Sequence, residues 1–184
     1  MARTAFLIFI LVFGSQGTDA AAQHQHHDPA RHSQPYSGLE KRDVKGLSAQ
    51  EMDDLQVGRG MGLALAAELN SYPGPRHVLD LEDALELTEQ QRDEIGALFE
   101  RMTNEAIHAG KKVIAVEKRL EALFSSGKAD EPALDHVLNQ ITEARTELRR
   151  THLVYHLRTK AVLTPEQVAR YDRLRGYAGN GEQK

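Results

Sequence analysis

The sequence predicts an all-α fold: an elongated antiparallel hairpin of two long helices, with one N-terminal helix packed across it and a short C-terminal helix. Apolar residues recur at steps of three and four over residues 88–124 and 130–159, which is the period of one helix face. The only break between those segments is a short one around Gly127. Charged residues make up 27% of the chain and aromatic residues only 5%, which is typical of a helical protein with a thin core.

Two copies of the pattern Leu-Thr-x-x-Gln mark helix starts on either side of the hairpin. The residues are Leu87, Thr88 and Gln91 in the first copy and Leu163, Thr164 and Gln167 in the second. In each copy the Thr is the predicted N-cap, and the Gln at the third helical position reaches back to the N–H of that cap. Asp130 is the predicted N-cap of the second long helix. A loop this short makes the two long helices antiparallel neighbours.

The ends of the chain differ from its middle in composition. Residues 1–22 have the basic start, apolar run and small residues of a secretory signal peptide. Residues 23–46 are polar and His-rich, and we expect a disordered linker whose histidines also suit a loose metal-collecting tail. The folded domain is expected over residues 47–177, and a disordered tail over 178–184. Without cysteine, helix packing rather than disulfides must stabilise the fold.

The first folded helix is predicted over residues 48–72, beginning with a capping box formed by Ser48 and Glu51. Gly58, Gly60 and Gly62 fall inside this segment, where each glycine costs about 1 kcal/mol relative to alanine. Such small residues either let another helix backbone approach closely or bend and break the helix. Both interpretations stay open.

One pair of side chains has the spacing of a metal chelate. His152 and His156 lie four residues apart, on one helix face, and can bind one metal ion together. In the antiparallel hairpin the nearest carboxylate should be Glu100, and Glu68 is a further possible ligand. The candidate site is therefore His152, His156 and Glu100, holding Zn, Cu or Ni. The other interpretation makes the two histidines polar flanks of the helix, with Tyr155 in the core.

The paired Leu-Thr-x-x-Gln motifs, at hairpin spacing behind a predicted signal peptide, resemble the Spy/CpxP family of Gram-negative periplasmic proteins. The resemblance covers residues 79–177. It implies a thin, curved helical cradle that associates as an antiparallel homodimer in the periplasm. The family includes ATP-independent chaperones, envelope-stress modulators and the metal-linked relatives ZraP and CnrX. The glycine-rich first helix and the His-rich tail depart from the chaperone pattern.

The resemblance implies a chaperone or envelope-stress accessory protein that needs no cofactor. Its partners would be unfolded or misfolded envelope proteins, or a membrane-bound signalling protein. The alternative is a periplasmic sensor or buffer of heavy metals. The net charge of −4 comes with no clustered basic face, which argues against nucleic-acid binding. We expect no enzymatic activity, because the sequence has no phosphate-binding loop, nucleophile elbow or cysteine.

Overall fold

The computed structural model describes residues 34–177, so the predicted signal peptide, residues 23–33 of the linker and the tail 178–184 lie outside the described residues. Residues 34–37 form a turn of their own, and every helix of the described residues belongs to the unit that begins at Gly38. The elements are a 3-10 helix, Leu39–Lys41, and the α-helices α1 (Ala49–Val57), α2 (Leu65–Glu68), α3 (Pro75–Leu79), α4 (Glu89–Ser125), α5 (Glu131–Val162) and α6 (Pro165–Leu174). The described residues contain no strand, which confirms the all-α prediction.

Helices α4 and α5 form the predicted hairpin. They have 37 and 32 residues, which corresponds to about 55 Å and 48 Å at 1.5 Å per residue. Each begins at its predicted cap, because Thr88 accepts a hydrogen bond from the N–H of Gln91 and Asp130 accepts one from Ala133. Gly127, between the helices, takes the left-handed backbone conformation, with φ of 68°. The pairing is the most extensive helix contact in the described unit.

The segment 48–72 is not one continuous helix, and that prediction was wrong. Helix α1 begins with the expected capping box at Ser48, but it ends at Val57. Gly58 follows with φ of 71°, a left-handed conformation that terminates a helix and strongly favours glycine. Irregular turns then lead to the single turn of α2. Of the two interpretations of the glycines, the break is confirmed.

Helix α1 crosses α4 at very short range. A Cβ atom placed on Gly110 of α4 would lie 2.1 Å from the carbonyl oxygen of Leu55, so only glycine fits at this crossing. The apolar core around the crossing joins α1 to both long helices and consists of Val44, Leu47, Leu55, Ala106, Ala109, Val113, Val116, Ala144 and Leu148. Val44 is 2% exposed, so the folded core includes a residue that precedes the predicted domain start at residue 47.

A second core closes the base of the hairpin, where α4 begins and α5 ends. It joins α3, α4 and α6 and consists of Val78, Leu85, Leu87, Ile95, Leu163, Val168 and Tyr171. A smaller cluster of Leu98, Met102 and Tyr155 lies along the hairpin and fixes its register. The predicted short helix around Val168 and Tyr171 is therefore present as α6 and is part of the core.

Candidate functional site

The two Leu-Thr-x-x-Gln motifs meet at the base of the hairpin. Leu87 and Leu163 are both buried in the second core. Thr88 and Thr164 each form a complete capping box, in which the Thr hydroxyl accepts from the N–H of the Gln and the Gln oxygen accepts from the N–H of the Thr. The predicted cap role of both motifs is confirmed. An apolar residue precedes each cap because that position is buried in the second core.

The two glutamines also bind each other. Gln91 Nε2 donates to Gln167 Oε1 at 2.8 Å, and Gln167 Nε2 donates back to Gln91 Oε1 at 3.0 Å. Each amide nitrogen also donates to a carbonyl beside the other motif, that of Val162 at 3.0 Å and that of Leu85 at 3.3 Å. We call this arrangement the glutamine clasp. It ties the start of α4 to the start of α6 and thereby fixes the base of the hairpin.

A groove of about 720 Å³ opens above the base, between the irregular segment and the hairpin. We call it the apolar groove. One wall is the segment that follows α1, the other is formed by α4 and α5, and α3 closes one end. The lining residues are Val57, Gly58, Arg59, Gly60, Met61, Gly62, Ala64, Leu65, Glu68, Gly74, Pro75, Arg76, His77, Phe99, Met102, Thr103, His152 and His156.

Two glycines of the groove wall pack directly against the hairpin. A Cβ on Gly58 would lie 3.0 Å from the carbonyl oxygen of Thr103, and one on Gly74 would lie 2.9 Å from the imidazole of His156. The close-approach interpretation of the first-helix glycines therefore also holds at Gly58. Gly60 has open space around it. The irregular wall of the groove thus follows the surface of the hairpin at two points.

Glu68 of α2 is the polar centre at the closed end of the groove. It is 4% exposed, and its carboxylate accepts hydrogen bonds from the hydroxyls of Tyr171 and Tyr177, the latter at 3.2 Å. It also accepts from the N–H of Gly74 at 3.2 Å and pairs with His77 Nδ1 at 3.2 Å. One carboxylate therefore connects α2, α3, α6 and the segment after α6.

The electrostatics of Glu68 favour its ionised form. Burial alone raises the pKa of this carboxyl, but the hydrogen bonds from His77 and Tyr171 and the charge of His77 outweigh burial and lower the pKa to about 2. Burial raises the pKa of the Tyr171 hydroxyl, and its hydrogen bond to Glu68 raises it further. At neutral pH the pair is therefore a carboxylate and a protonated phenol, which is a strong charge-assisted hydrogen bond.

The two predicted metal ligands on α5 both line the groove, and both are buried. His156 Nδ1 lies 2.7 Å from the carbonyl oxygen of Tyr72, which can only accept, so this nitrogen carries a proton, and the same nitrogen lies 3.7 Å from Glu68 Oε2. His152 is 3% exposed, and within residues 34–177 its Nε2 has no hydrogen-bond partner. Burial, followed by the neighbouring His156, lowers the pKa of His152, which keeps its imidazole neutral.

Glu100, the third predicted ligand, lies elsewhere. It is exposed and is not among the residues that line the groove, although Leu98 and Met102 on either side of it are buried. Across the described part of the chain, no three His, Cys, Asp or Glu side chains lie close enough to hold one metal ion. The structure brings His152 and His156 to one groove and does not bring Glu100 to them. Metal binding by these residues stays a prediction.

Sequence reasoning missed several residues of the site. Met61 lies in the irregular segment and Leu65 begins α2, and both line the groove because the helix predicted over residues 48–72 breaks at Gly58. His77 and Tyr171 partner Glu68 across 9 and 103 positions of sequence, and no local pattern signals such a pairing. The glutamine clasp did have a signal, because an antiparallel hairpin brings the residues before α4 and after α5 to the same end.

A pair of long antiparallel helices closed by two Leu-Thr-x-x-Gln caps defines a class of all-helical hairpin protein. A family model described as "LTXXQ motif family protein" matches residues 75–175, more than half of the chain. The chain therefore belongs to the LTXXQ motif family, and the resemblance to the Spy/CpxP family is confirmed. No match was found among curated proteins or among solved structures. Across residues 34–177, no helix combines the length and the apolar character that crossing a membrane requires.

Proposed function

We propose that this protein is an ATP-independent chaperone of the periplasm that holds apolar segments of unfolded or misfolded envelope proteins in the apolar groove. The observation that carries the proposal is the groove itself, which is open and mainly apolar. Met61 and Leu65 are 38% and 55% exposed at its wall, although both are large apolar side chains. Exposed apolar surface of this kind marks an interaction site.

The composition of the groove suits loose binding of many different segments. Met61 provides a flexible, polarisable side chain that adapts to different partners, as at other promiscuous surfaces. Gly60 and Gly62 leave the wall backbone without side chains that would fix its shape. Burial of apolar area supplies the affinity, so neither ATP nor a cofactor is needed.

The test compares two leucines of similar exposure. Leu65 lines the groove, whereas Leu174, at 48% exposed, lies at the end of α6 and outside it. Burial of one leucine side chain contributes roughly 1.5 kcal/mol, which corresponds to about tenfold in affinity. Leu65→Gln should therefore raise the protein concentration needed to suppress aggregation of a denatured client by up to about tenfold. Leu174→Gln should leave that concentration unchanged.

The readout is light scattering of a chemically denatured enzyme diluted into buffer with increasing amounts of the purified protein. If the unchanged protein fails to suppress aggregation at several-fold excess, the chaperone proposal is wrong. Equal loss of activity in both leucine variants would show that the apolar groove is not the client site.

Metal binding is the second candidate function, and the state of the two histidines favours it. A histidine that donates Nδ1–H to a backbone carbonyl and keeps Nε2 free has the usual orientation of a metal ligand. His156 has that arrangement, and His152 Nε2 has no partner among the described residues. Calorimetric titration with Zn²⁺, Cu²⁺ and Ni²⁺ should therefore show a site that His152→Gln removes. His136→Gln, an exposed histidine of the same helix, is the matched control.

A further inference from the structure

The titratable side chains that line the apolar groove and reach solvent are all basic. Arg59 and Arg76 have 53% and 62% of their side-chain surface exposed, and His77 has 42%. The one acidic residue of the lining is Glu68, which is buried and already engaged by hydrogen bonds from four groups. Within residues 34–177, the groove therefore offers cationic donors beside apolar surface and no exposed carboxylate.

Arg76 keeps one complete edge of its guanidinium free. Its Nε atom pairs with Asp80, at 3.0 Å from Oδ1, and the side chain makes no hydrogen bond to any other described residue. The two terminal nitrogens are therefore available, side by side, for the two oxygens of one carboxylate. The carbon that joins them lies 5.7 Å from the ring centroid of Phe99, which also lines the groove. This cationic edge is thus next to an apolar part of the groove.

Arg59 has a similar arrangement on the irregular wall. Its Nη1 atom donates to two aspartates of α1, at 2.6 Å each, and neither aspartate is among the residues that line the groove. The edge formed by Nε and Nη2 has no hydrogen-bond partner in the described part of the chain. The preceding residue, Gly58, packs against the carbonyl of Thr103, which is one helical turn from Phe99 on α4. The two arginines therefore lie near successive turns of the same helix.

We propose that the apolar groove selects apolar segments that carry an aspartate or glutamate next to the apolar run, and that the free guanidinium edge of Arg76 binds this carboxylate, with the edge of Arg59 as a second position. This inference rests on the chaperone proposal and names the class of segment that the groove takes. Apolar contact supplies the affinity, and the carboxylate decides between segments. A lysine or arginine in the same place would instead lie beside a guanidinium of like charge, with no acceptor for its donors.

The experiment measures the binding of fluorescent peptides to the full protein by anisotropy. Three peptides share one apolar run of leucine, phenylalanine and valine, have blocked ends, and carry glutamates, glutamines or lysines beside that run. We expect the glutamate peptide to bind about threefold to fivefold more tightly than the glutamine peptide, which is the range of a partly exposed ion pair. The lysine peptide should bind most weakly. Raising the salt concentration should reduce the preference, because salt screens exposed charges.

Three variants that each remove one positive charge locate the preference. Arg76→Gln should remove most of the difference between the glutamate and glutamine peptides, and Arg59→Gln gives a second test that does not depend on α3. Arg150→Gln is the matched control: Arg150 is exposed on α5 and lies two positions before the buried His152, so it points to the other side of that helix. This control should keep the full preference. Circular dichroism checks that each variant is folded.

The outcomes separate this inference from the chaperone proposal. If the glutamate peptide binds no better than the glutamine peptide while Leu65→Gln weakens both, the inference is wrong and the chaperone proposal stands. Equal loss of the preference in Arg76→Gln and Arg150→Gln also overturns the inference, since the preference then follows net charge. A fourth peptide, with glutamines and an unblocked carboxyl end, tests the other source of a carboxylate. If that peptide alone binds more tightly, the groove takes chain ends and the inference is wrong. If no peptide binds, the inference and the groove as client site both fall.

Discussion

The glutamine clasp makes a quantitative prediction about the family motif. Replacing Gln91 with Met keeps the length of the side chain and removes four hydrogen bonds: one from the N–H of Thr88, one to Val162 and two shared with Gln167. A hydrogen bond contributes about 0.5–1.5 kcal/mol to stability. Because the clasp is only partly buried, we expect a loss of about 2–4 kcal/mol in the free energy of unfolding.

The coupling between the two glutamines follows from the same geometry. Either single replacement already removes both Gln–Gln bonds, so the Gln91→Met and Gln167→Met double variant loses them only once. The double-mutant cycle should therefore give a coupling energy of about 1–3 kcal/mol. Urea unfolding followed by circular dichroism measures all four free energies, and a similar dependence on urea in each variant supports the comparison.

A second cycle supplies the control. Gln140 also bonds across the hairpin, to Arg119 at 3.2 Å, but it lies far along α5 from the clasp. The Gln91→Met and Gln140→Met changes should be additive to within about 0.5 kcal/mol. If the Gln91 and Gln167 changes prove equally additive, the two motifs act as separate helix caps, and the clasp contributes nothing as a pair.

Two further predictions concern the attachment of the irregular segment. Gly110→Ala forces a Cβ against the carbonyl of Leu55, so we expect destabilisation of about 1–3 kcal/mol despite the better helix propensity of alanine. Urea unfolding measures the change. An unchanged or raised stability would contradict the close crossing. The pKa of Glu68 is about 2 in the folded state against an ordinary 4.5, a shift worth about 3 kcal/mol. That stability is present above pH 4.5 and is lost as the pH falls toward 2. The difference in free energy of unfolding between the unchanged protein and Glu68→Gln should therefore become smaller over that range. A difference that does not change with pH would contradict the role of the ionised carboxylate.

The regular part of the molecule could be predicted from local sequence. Periodicity predicted the two long helices to within three residues of their bounds in the structure, and Thr88, Asp130 and Thr164 are caps, as expected. These features depend on residues three or four positions apart. Ser48 was predicted in the same way, since its capping box is equally local.

The metal-site prediction shows where local reasoning failed. Glu100 is at the right level of the hairpin, but it is two positions from both Leu98 and Met102, which are buried. Side chains two residues apart on a helix point in directions about 200° apart. Because Leu98 and Met102 point inward, Glu100 must point outward. The apolar pattern of α4 already showed which face of the helix is buried, and Glu100 is not on that face. The burial of His152 required a neighbour that only the tertiary structure supplies.

Contacts between residues far apart in sequence hold the groove together, whereas the helices of the hairpin form largely from local sequence. Its outer wall has little regular structure, and it is held at one end by the fit of α1 over Gly110 and at the other by the hydrogen bonds of Glu68. Between those points the chain leaves α1 at Gly58, and Met61 and Leu65 then line the groove while remaining partly exposed. The two long helices supply a fixed inner wall. Changes at the two attachment points should therefore affect the groove while the hairpin stays folded.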